Sequence, residues 1–289
     1  MTGMRIGVMV DSFRLGLWEG IEKAKMVGAS GIQINAAQGE MAPENLTAGK
    51  RREILNRIHA HGLEVSAICG DLGGHGFTLP HDNPWKIEKS KMMMDLAKDL
   101  GTNIVTTHIG VIPADAEHPR RQIMAEACEE LGEYGDSVGA FFAIETGPEK
   151  VETLKSFLDG LHATGAKVNF DPANLVMVTG DDPVGAVHVL RDYIVHTHAK
   201  DGLMLQRSDP EKVYGFFADG GIGDLRLEEL FQETPLGEGG VDFDRYLRAL
   251  ADVGFQGFLT IEREVGANPE HDITSAVRFL SRKLGDHGL

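Results

Sequence analysis

Residues 193–201, YIVHTHAKD, begin as an apolar, β-rich segment and then carry His196, His198 and Lys200 at alternate positions. Side chains two positions apart on a β-strand point to the same face of the sheet. The two histidines and the lysine are therefore expected on one face, and the side chains between them on the other. Such a strand needs a fold in which its polar face meets other polar groups.

The rest of the chain alternates β-rich segments with amphipathic stretches of helical spacing, several of which end in glycine, a common helix stop signal. Alternating strands and helices predict a parallel sheet, and eight such units predict a closed (β/α)8 barrel. We therefore predict an α/β fold, a TIM barrel in which residues 1–289 form a single domain. The eight strands are expected at RIGVMVD (5–11), GIQIN (31–35), LEVSAICG (63–70), TNIVTTHIG (102–110), AFFAIETG (140–147), KVNFDPAN (167–174), YIVHTHAKD (193–201) and GFLTIERE (257–264).

An open, doubly wound sheet is the main alternative fold. That fold usually places a glycine-rich fingerprint after its first strand. The corresponding turn here, VDSFRLG at residues 10–16, lacks that pattern.

The amino-acid composition limits the classes of partner and the compartment that are expected for this protein. The chain has 28 Lys+Arg against 44 Asp+Glu, a net charge of −16, and an acidic surface repels phosphate backbones, so nucleic acid is not expected. Cys69 and Cys128 make no metal or disulfide pattern, which favours a reducing compartment. We find no signal peptide and no apolar stretch long enough to span a membrane, so a soluble, cytoplasmic protein without a membrane partner is expected.

One segment interrupts the alternation. Residues 202–240 separate the seventh strand from its helix, and a connection of this length in a compact domain is usually functional or disordered. Its VYGFF stretch (213–217) is apolar for a solvated loop. We predict that this inserted loop acts as a lid or as an oligomer contact.

Strand alternation also predicts which side chains enter the barrel. In five strands it puts an ionisable side chain at the C-terminal end of the polar face, namely His108, Glu145, Asp171, His198 and Glu262. Barrel interiors are normally filled by branched apolar side chains, and unpaired buried carboxylates are costly. Three carboxylates and one imidazole, from the last four of these residues, suit Mn²⁺, Mg²⁺, Co²⁺ or Zn²⁺.

Each of those four residues also has an ordinary structural interpretation. Glu145 could cap a helix or pair with a lysine, and Asp171 in DPAN fits turn chemistry. His198 could be a core histidine, and Glu262 part of a solvated charge run. Their shared parity at the C-terminal ends of four successive strands, where TIM barrels place active sites, favours the metal site.

The motifs AIETG, NFDPAN, HTHAKD and TIERE, with PLGEGGVDF (235–243), closely resemble the xylose-isomerase-like TIM-barrel superfamily over nearly the whole chain. Within it, the chain looks like the sugar phosphate isomerase/epimerase group. This resemblance implies one divalent metal ion, with Mn²⁺ as the first choice, bound by Glu145, Asp171, His198 and Glu262. It also implies that Glu145 and Glu262 transfer protons, and that the protein forms a homo-dimer or tetramer.

Five further residues are expected to contact a small sugar or polyol substrate. His108 ends the fourth strand, Lys200 would face substrate or pair with a carboxylate, and Asn174 stands where related epimerases carry a histidine. Glu238 would reach the site from the loop before the next helix, and His75 from the rim after the third strand.

Two further positions concern the deeper layer of the barrel. His196 is expected to support the site from that layer rather than to bind the metal. Strand two ends in Gln33-Ile-Asn35 where the group commonly has a glutamate. Together with Asn174, this departure weakens the case for epimerisation of free ketoses.

The leading function is therefore a metal-dependent isomerase or epimerase of a sugar or sugar derivative. Two carboxylates could remove and return a proton next to a carbonyl through an enediolate. A dehydratase of the keto-inositol or dehydroshikimate type is the alternative, and a non-catalytic metabolite-binding barrel is a third. A DNA-repair endonuclease of the same superfamily would need more metal ligands and a less acidic chain.

Overall fold

The computed structural model of the chain describes residues 3–222 and 225–289. Eight parallel strands close into a barrel in the order β1-β10-β7-β6-β5-β4-β3-β2, which confirms the predicted TIM barrel. The barrel strands are β1 (Arg5–Met9), β2 (Gly31–Asn35), β3 (Glu64–Cys69), β4 (Ile104–Thr107), β5 (Phe141–Glu145), β6 (Ala166–Phe170), β7 (Ile194–Ala199) and β10 (Phe258–Ile261).

Helices surround the barrel and connect successive strands. Several begin at a side-chain cap, as at Asp182, and end at a left-handed glycine, as at Gly28 (φ 94°) and Gly139 (φ 69°). None of the described helices combines the length and apolarity needed to span a bilayer. The helices are α1 (Leu17–Val27), α2 (Ala48–Ala60), α3 (Asn83–Asp99), α4 (Pro119–Val138), α5 (Val151–Asp159), the single turn α6 (Pro172–Asn174), α7 (Pro183–Leu190), α8 (Pro210–Asp219), α9 (Phe243–Asp252) and α10 (Pro269–His287).

The insertion between β7 and α9 has secondary structure of its own. Strands β8 (Asp201–Met204) and β9 (Phe231–Thr234) pair in antiparallel fashion, and α8 lies between them along the chain. The segment expected as a long loop is thus a hairpin that carries a helix over the C-terminal end of the barrel.

The carboxylate of Asp201 holds the base of this hairpin. Its Oδ1 accepts the backbone N–H groups of Gly202 (2.9 Å) and Val241 (3.0 Å), and its Oδ2 accepts those of Gly237 and Gly239 (both 2.9 Å). A charged acceptor with four donors is a strong local constraint. The last residue of the HTHAKD motif therefore organises the turn that closes the insertion.

Hydrophobic side chains such as Val105, Phe142 and Val168 fill the layer between strands and helices and are fully buried. The inside of the barrel is more polar than is usual for this fold. Gln33 Nε2 donates to Thr106 Oγ1 (3.1 Å) across that interior, and Asn169 is fully buried there as well. The alternation of apolar and polar faces predicted from the sequence therefore holds in the structure.

Candidate metal centre and active site

Four side chains meet at the C-terminal end of the barrel. Glu145, Asp171, His198 and Glu262 come from β5, β6, β7 and β10 or the residue directly after, and these strands are consecutive neighbours in the barrel. One potential ligand atom from each lies within 4.8 Å of all the others. His198 Nδ1 is central, 3.5 Å from Glu145 Oε1, 3.6 Å from Asp171 Oδ2 and 3.4 Å from Glu262 Oε2.

These residues fit a divalent cation. Among the described residues, His198 Nδ1 and Asp171 Oδ2 are buried without a hydrogen-bond partner, although they face each other. Buried polar atoms are normally satisfied, so this pair is missing a partner that both can bind. One imidazole nitrogen and three carboxylates form a donor set suited to Mn²⁺, Mg²⁺ or Zn²⁺.

The negative charge of the clustered carboxylates also favours a cation at this position. Burial opposes a charged imidazole, but the carboxylates of Glu262 and Glu145 outweigh burial and raise the pKa of His198 well above its usual value. A positive charge at this position therefore compensates the surrounding carboxylates. A metal ion can take that place when His198 is neutral.

Asp171 serves two purposes with its two oxygens. Its Oδ1 accepts the backbone N–H groups of Ala173 (2.8 Å) and Asn174 (3.0 Å) and so caps the short turn of α6. Its Oδ2 points toward His198. The turn interpretation and the ligand interpretation of DPAN are therefore compatible.

Gln33 orients the histidine ligand from below. Its Oε1 accepts from His198 Nε2 (3.1 Å) and from His196 Nε2 (3.0 Å), while its Nε2 donates to Thr106. Since Nε2 of His198 is committed to Gln33, Nδ1 is the nitrogen left to face the carboxylates. His196 lies in the deeper layer, where it shares the Gln33 oxygen with His198 and its ring centroid is 6.0 Å from that of His198.

Two amides and a histidine surround Glu145. Asn169 Nδ2 donates to its Oε2 (3.0 Å) and Asn174 Nδ2 to its Oε1 (2.9 Å). His108 Nε2 lies 3.6 Å from the same Oε1, and His108 Nδ1 is 2.8 Å from Asp71 Oδ2. Burial alone would lower the pKa of His108, but Glu145 and Asp71 outweigh it and raise that pKa.

Glu262 has a different environment. Lys200 Nζ lies 2.9 Å from Glu262 Oε2 and also contacts Glu264, as the sequence allowed for a lysine paired with a carboxylate. Burial alone would raise the pKa of Glu262, but Lys200 and His198 hold it well below its usual range. The two carboxylates therefore differ in their hydrogen bonds, since Glu145 accepts from two neutral amides and Glu262 from an ammonium group.

A cavity of about 960 Å³ opens directly above the cluster. His108, Asn174 and Lys200 line it together with Glu145 and Glu262, so three of the predicted substrate contacts face one cavity.

The other two predicted substrate contacts lie elsewhere. His75 is at the rim, where its Nε2 is 2.9 Å from Asp219 Oδ1 on α8. Glu238 is exposed, on the turn that wraps around Asp201. Neither belongs to the cavity lining.

Several residues of the site were not singled out from the sequence. Asn169 shares the inward parity of Asp171, and that signal was sufficient to find it. Asp71, Glu233 and Tyr214 had no such signal, because they reach the cavity from loops and from the insertion.

Arg263 joins the insertion to the barrel. Its Nη1 is 2.6 Å from Glu233 Oε1 on β9 and its Nε is 2.9 Å from Asp272 Oδ2 on α10. The backbone N–H of Glu264 also contacts Glu233. The wall formed by the insertion is thereby tied to the residues that directly follow Glu262.

Fold and site together define a class, the TIM-barrel proteins with a candidate divalent-metal site at the carboxyl ends of their strands. The family model described as xylose isomerase-like TIM barrel matches residues 21–283, and the chain belongs to that family. This result confirms the resemblance read from the motifs.

A curated relative supports the assignment. The rhizopine catabolism protein MocC of Rhizobium meliloti is 32% identical over 276 residues, which cover 89% of this chain and 77% of the relative.

Solved structures share the fold at lower identity. A xylose isomerase domain protein from Planctomyces limnophilus has a TM-score of 0.79 at 23% identity and covers 98% of both chains. The probable 3-DHS dehydratase AsbF from Bacillus anthracis has a TM-score of 0.73 at 22% identity, over 96% of this chain and 99% of that one. D-psicose 3-epimerase from Clostridium cellulolyticum H10 has a TM-score of 0.70 at 14% identity, over 97% of this chain and 99% of that one. The fold is thus shared by an epimerase and a probable dehydratase.

Proposed function

We propose that the protein is a divalent-metal-dependent isomerase or epimerase that acts on a keto-sugar or a related polyol through an enediolate. The observation that carries this proposal is the buried cluster of Glu145, Asp171, His198 and Glu262, with two unpartnered atoms, at the base of a cavity. Membership of the xylose isomerase-like family supports it.

The four cluster residues would hold the ion, and a bound divalent cation would supply Lewis-acid polarisation of a carbonyl and its neighbouring hydroxyl. Glu145 and Glu262 come from strands separated by β6 and β7, so they flank the cavity floor from two sides. One of the two acts as the ionised base and removes the proton from the carbon beside the carbonyl, and the other, in its carboxylic acid form, returns a proton. Return to the opposite face of the same carbon gives an epimer, and return to the adjacent carbon gives an aldose–ketose shift.

Neighbouring residues fix the orientation of Glu145 and the charge of Glu262. Asn169 and Asn174 hold both oxygens of Glu145 and so fix the direction of its lone pairs. Lys200 keeps Glu262 in its charged form. Such orientation before the reaction lowers the cost of reaching the transition state.

Dehydration is the second candidate, and His108 is the observation that favours it. Asp71 keeps this imidazole as a donor, and its Nε2 lies 3.6 Å from Glu145 Oε1. An acid beside the base is what loss of a β-hydroxyl as water requires. The similarity of the fold to a probable dehydratase is consistent with this second activity.

The test is proton exchange in D₂O. Metal-loaded protein is incubated with ketoses, keto-inositols and hydroxypyruvate, the metal is removed with a chelator, and the products are analysed by NMR. Glu262→Gln removes a proposed catalytic carboxylate, and Glu133→Gln, exposed on α4, is the matched control.

Deuterium beside the carbonyl with wild type and Glu133→Gln, and none with Glu262→Gln, is the expected result. A vinylic signal would assign the dehydratase instead. Tight metal binding with no exchange on any compound would favour a non-catalytic binding barrel. Unchanged metal affinity in Glu145→Gln/Asp171→Asn would contradict the metal site itself.

A further inference from the structure

The cavity has a polar floor and an apolar wall, and the two come from different parts of the chain. The barrel strands supply the charged floor around Glu145 and Glu262. The insertion supplies most of the apolar wall, through Val213, Tyr214, Phe217, Leu227 and Phe231.

Two aromatic rings of this wall stand in contrasting positions. The Tyr214 ring lies 5.9 Å from the His108 ring, close to the floor. Phe217 is one turn further along α8 and is 64% exposed while lining the cavity mouth. An exposed aromatic ring at the rim of a site continuous with the cluster is placed to bind an apolar part of a ligand.

The volume is larger than a free sugar needs. A hexose has about 12 non-hydrogen atoms, and at no more than about 30 Å³ each, the share of one water molecule, it fills at most roughly 360 Å³. The cavity measures about 960 Å³. More than half of the space is therefore left beside the apolar wall when one sugar ring occupies the floor.

The charges disfavour an anionic ligand. Among the described lining residues, each cationic side chain is already paired: Lys200 with Glu262 and Glu264, Arg263 with Glu233 and Asp272, and His108 with Asp71. Apart from the proposed metal ion, a phosphate or carboxylate on the ligand would therefore meet no unpaired cationic side chain among these lining residues. The lining carboxylates are Asp71, Glu145, Glu228, Glu233, Glu262 and Glu264.

We infer that the substrate is an unphosphorylated, uncharged keto-sugar or keto-polyol that carries an apolar ether or glycosidic substituent. Its polar ring lies on the floor, and its substituent packs against Tyr214 and Phe217. This inference rests on the proposed function for the reacting ring. It assigns the insertion as the element that selects the substrate.

The test separates binding from turnover. Calorimetry of metal-loaded protein measures the affinity for myo-inositol, its O-benzyl ethers and its monophosphate, none of which needs to react. The corresponding keto-inositols are then assayed for exchange in D₂O. Phe217→Ala removes the outer ring, and Leu205→Ala, which is 53% exposed in the same insertion and outside the cavity lining, is the matched control.

A benzyl ether is expected to bind at least about tenfold more tightly than the parent polyol, and the monophosphate more weakly than either. Phe217→Ala should lower the ratio of benzyl to parent affinity several-fold, because only Tyr214 and the inner wall remain to contact the substituent, and Leu205→Ala should preserve the ratio. Benzyl preference without any exchange would support this ligand class and contradict the enediolate chemistry.

Other results would overturn the inference. If the keto-inositols exchange deuterium but myo-inositol and its benzyl ether bind with equal affinity, the proposed function is unaffected and the inference is wrong. Tighter binding of the monophosphate would also exclude it. A change of oligomeric state in Phe217→Ala, seen by light scattering with the affinity ratio unchanged, would assign the ring to contact with a second copy.

Discussion

Gln33 Oε1 lies 3.1 Å from His198 Nε2, and this contact decides which nitrogen of the histidine faces the three carboxylates. The same oxygen accepts from His196, and Thr106 holds the amide in place. A metal ligand oriented by a buried partner binds more tightly than a free one, because its ring orientation and tautomer are fixed before binding.

Gln33→Met should therefore weaken metal binding by about 10–100-fold, since the ring of His198 loses its acceptor. Gln33→Glu is the comparison variant: its carboxylate still accepts from both histidines, and its added negative charge should not weaken cation binding. Calorimetric titration of the metal-free variants with Mn²⁺ measures the effect. Wild-type affinity in Gln33→Met would show that the hydrogen bond does not orient the ligand.

Lys200→Met should destabilise the metal-free protein by about 3–5 kcal/mol, because it removes the ammonium group that is hydrogen-bonded to the buried Glu262 carboxylate. Added Mn²⁺ should then stabilise the variant more than the wild type, since the cation replaces the lost charge. Thermal unfolding with and without metal measures both effects.

Lys155→Met, which breaks an exposed pair with Asp159, is the control and should cost less than about 1 kcal/mol. Equal stabilisation of Lys200→Met and wild type by the metal would mean that Lys200 does not balance the cluster.

Asp201→Asn should loosen the insertion. The new amide group can accept through one oxygen only, so the N–H groups of Gly237 and Gly239 would face another donor. We expect the free energy of local opening of this turn to fall by about 2–3 kcal/mol. Hydrogen exchange at those two amides and limited proteolysis within residues 202–240 measure it. Asp192→Asn, at an exposed position, serves as control. Unchanged hydrogen-exchange protection in Asp201→Asn would show that Asp201 does not hold the base of the hairpin.

Glu149 should make stability depend on pH. It is buried, with its Oε2 accepting the N–H of Ile112 (3.2 Å), and burial raises its pKa from 4.5 to about 8. Between these pH values the folded protein binds more protons at this site than the unfolded chain. The free energy of unfolding therefore falls as pH rises through that window and is lowest above it.

Glu149→Gln keeps the acceptor for Ile112 and removes the charge. It should be more stable than wild type at pH 9, by up to about 4 kcal/mol, and close to wild type at pH 4.5. Urea unfolding at the two pH values tests this, with the exposed Glu152→Gln on α5 as control. If the free energy of unfolding of Glu149→Gln depends on pH as strongly as that of the wild type, the titrating group is not Glu149.

Local patterns were enough to predict the barrel and the cluster: the succession of strands and helices predicted the barrel, and the alternation of faces along each strand predicted the cluster. Glu145, Asp171, His198 and Glu262 could be grouped because each ends the polar face of a strand, and the C-terminal ends of parallel strands meet at one mouth. No contact between distant residues was required for that prediction. Asn169 carried the same parity signal, although it was not singled out.

The supporting contacts depended on closure of the barrel. Gln33 and His198 are 165 positions apart and meet across its interior. The registers of β2 with β3 and of β6 with β7 shift at Ile32/Gln33 and at Val168/Asn169, beside two of the supporting residues.

The sequence by itself therefore determined the fold, through eight alternating strand and helix units, and the four candidate ligands, through a pattern that repeats every two residues. Only the tertiary structure decided that Gln33 orients His198, that Lys200 neutralises Glu262, and that the insertion walls the cavity. Those contacts depend on strand register and on a hairpin braced by Asp201, and neither leaves a periodic signal in the chain.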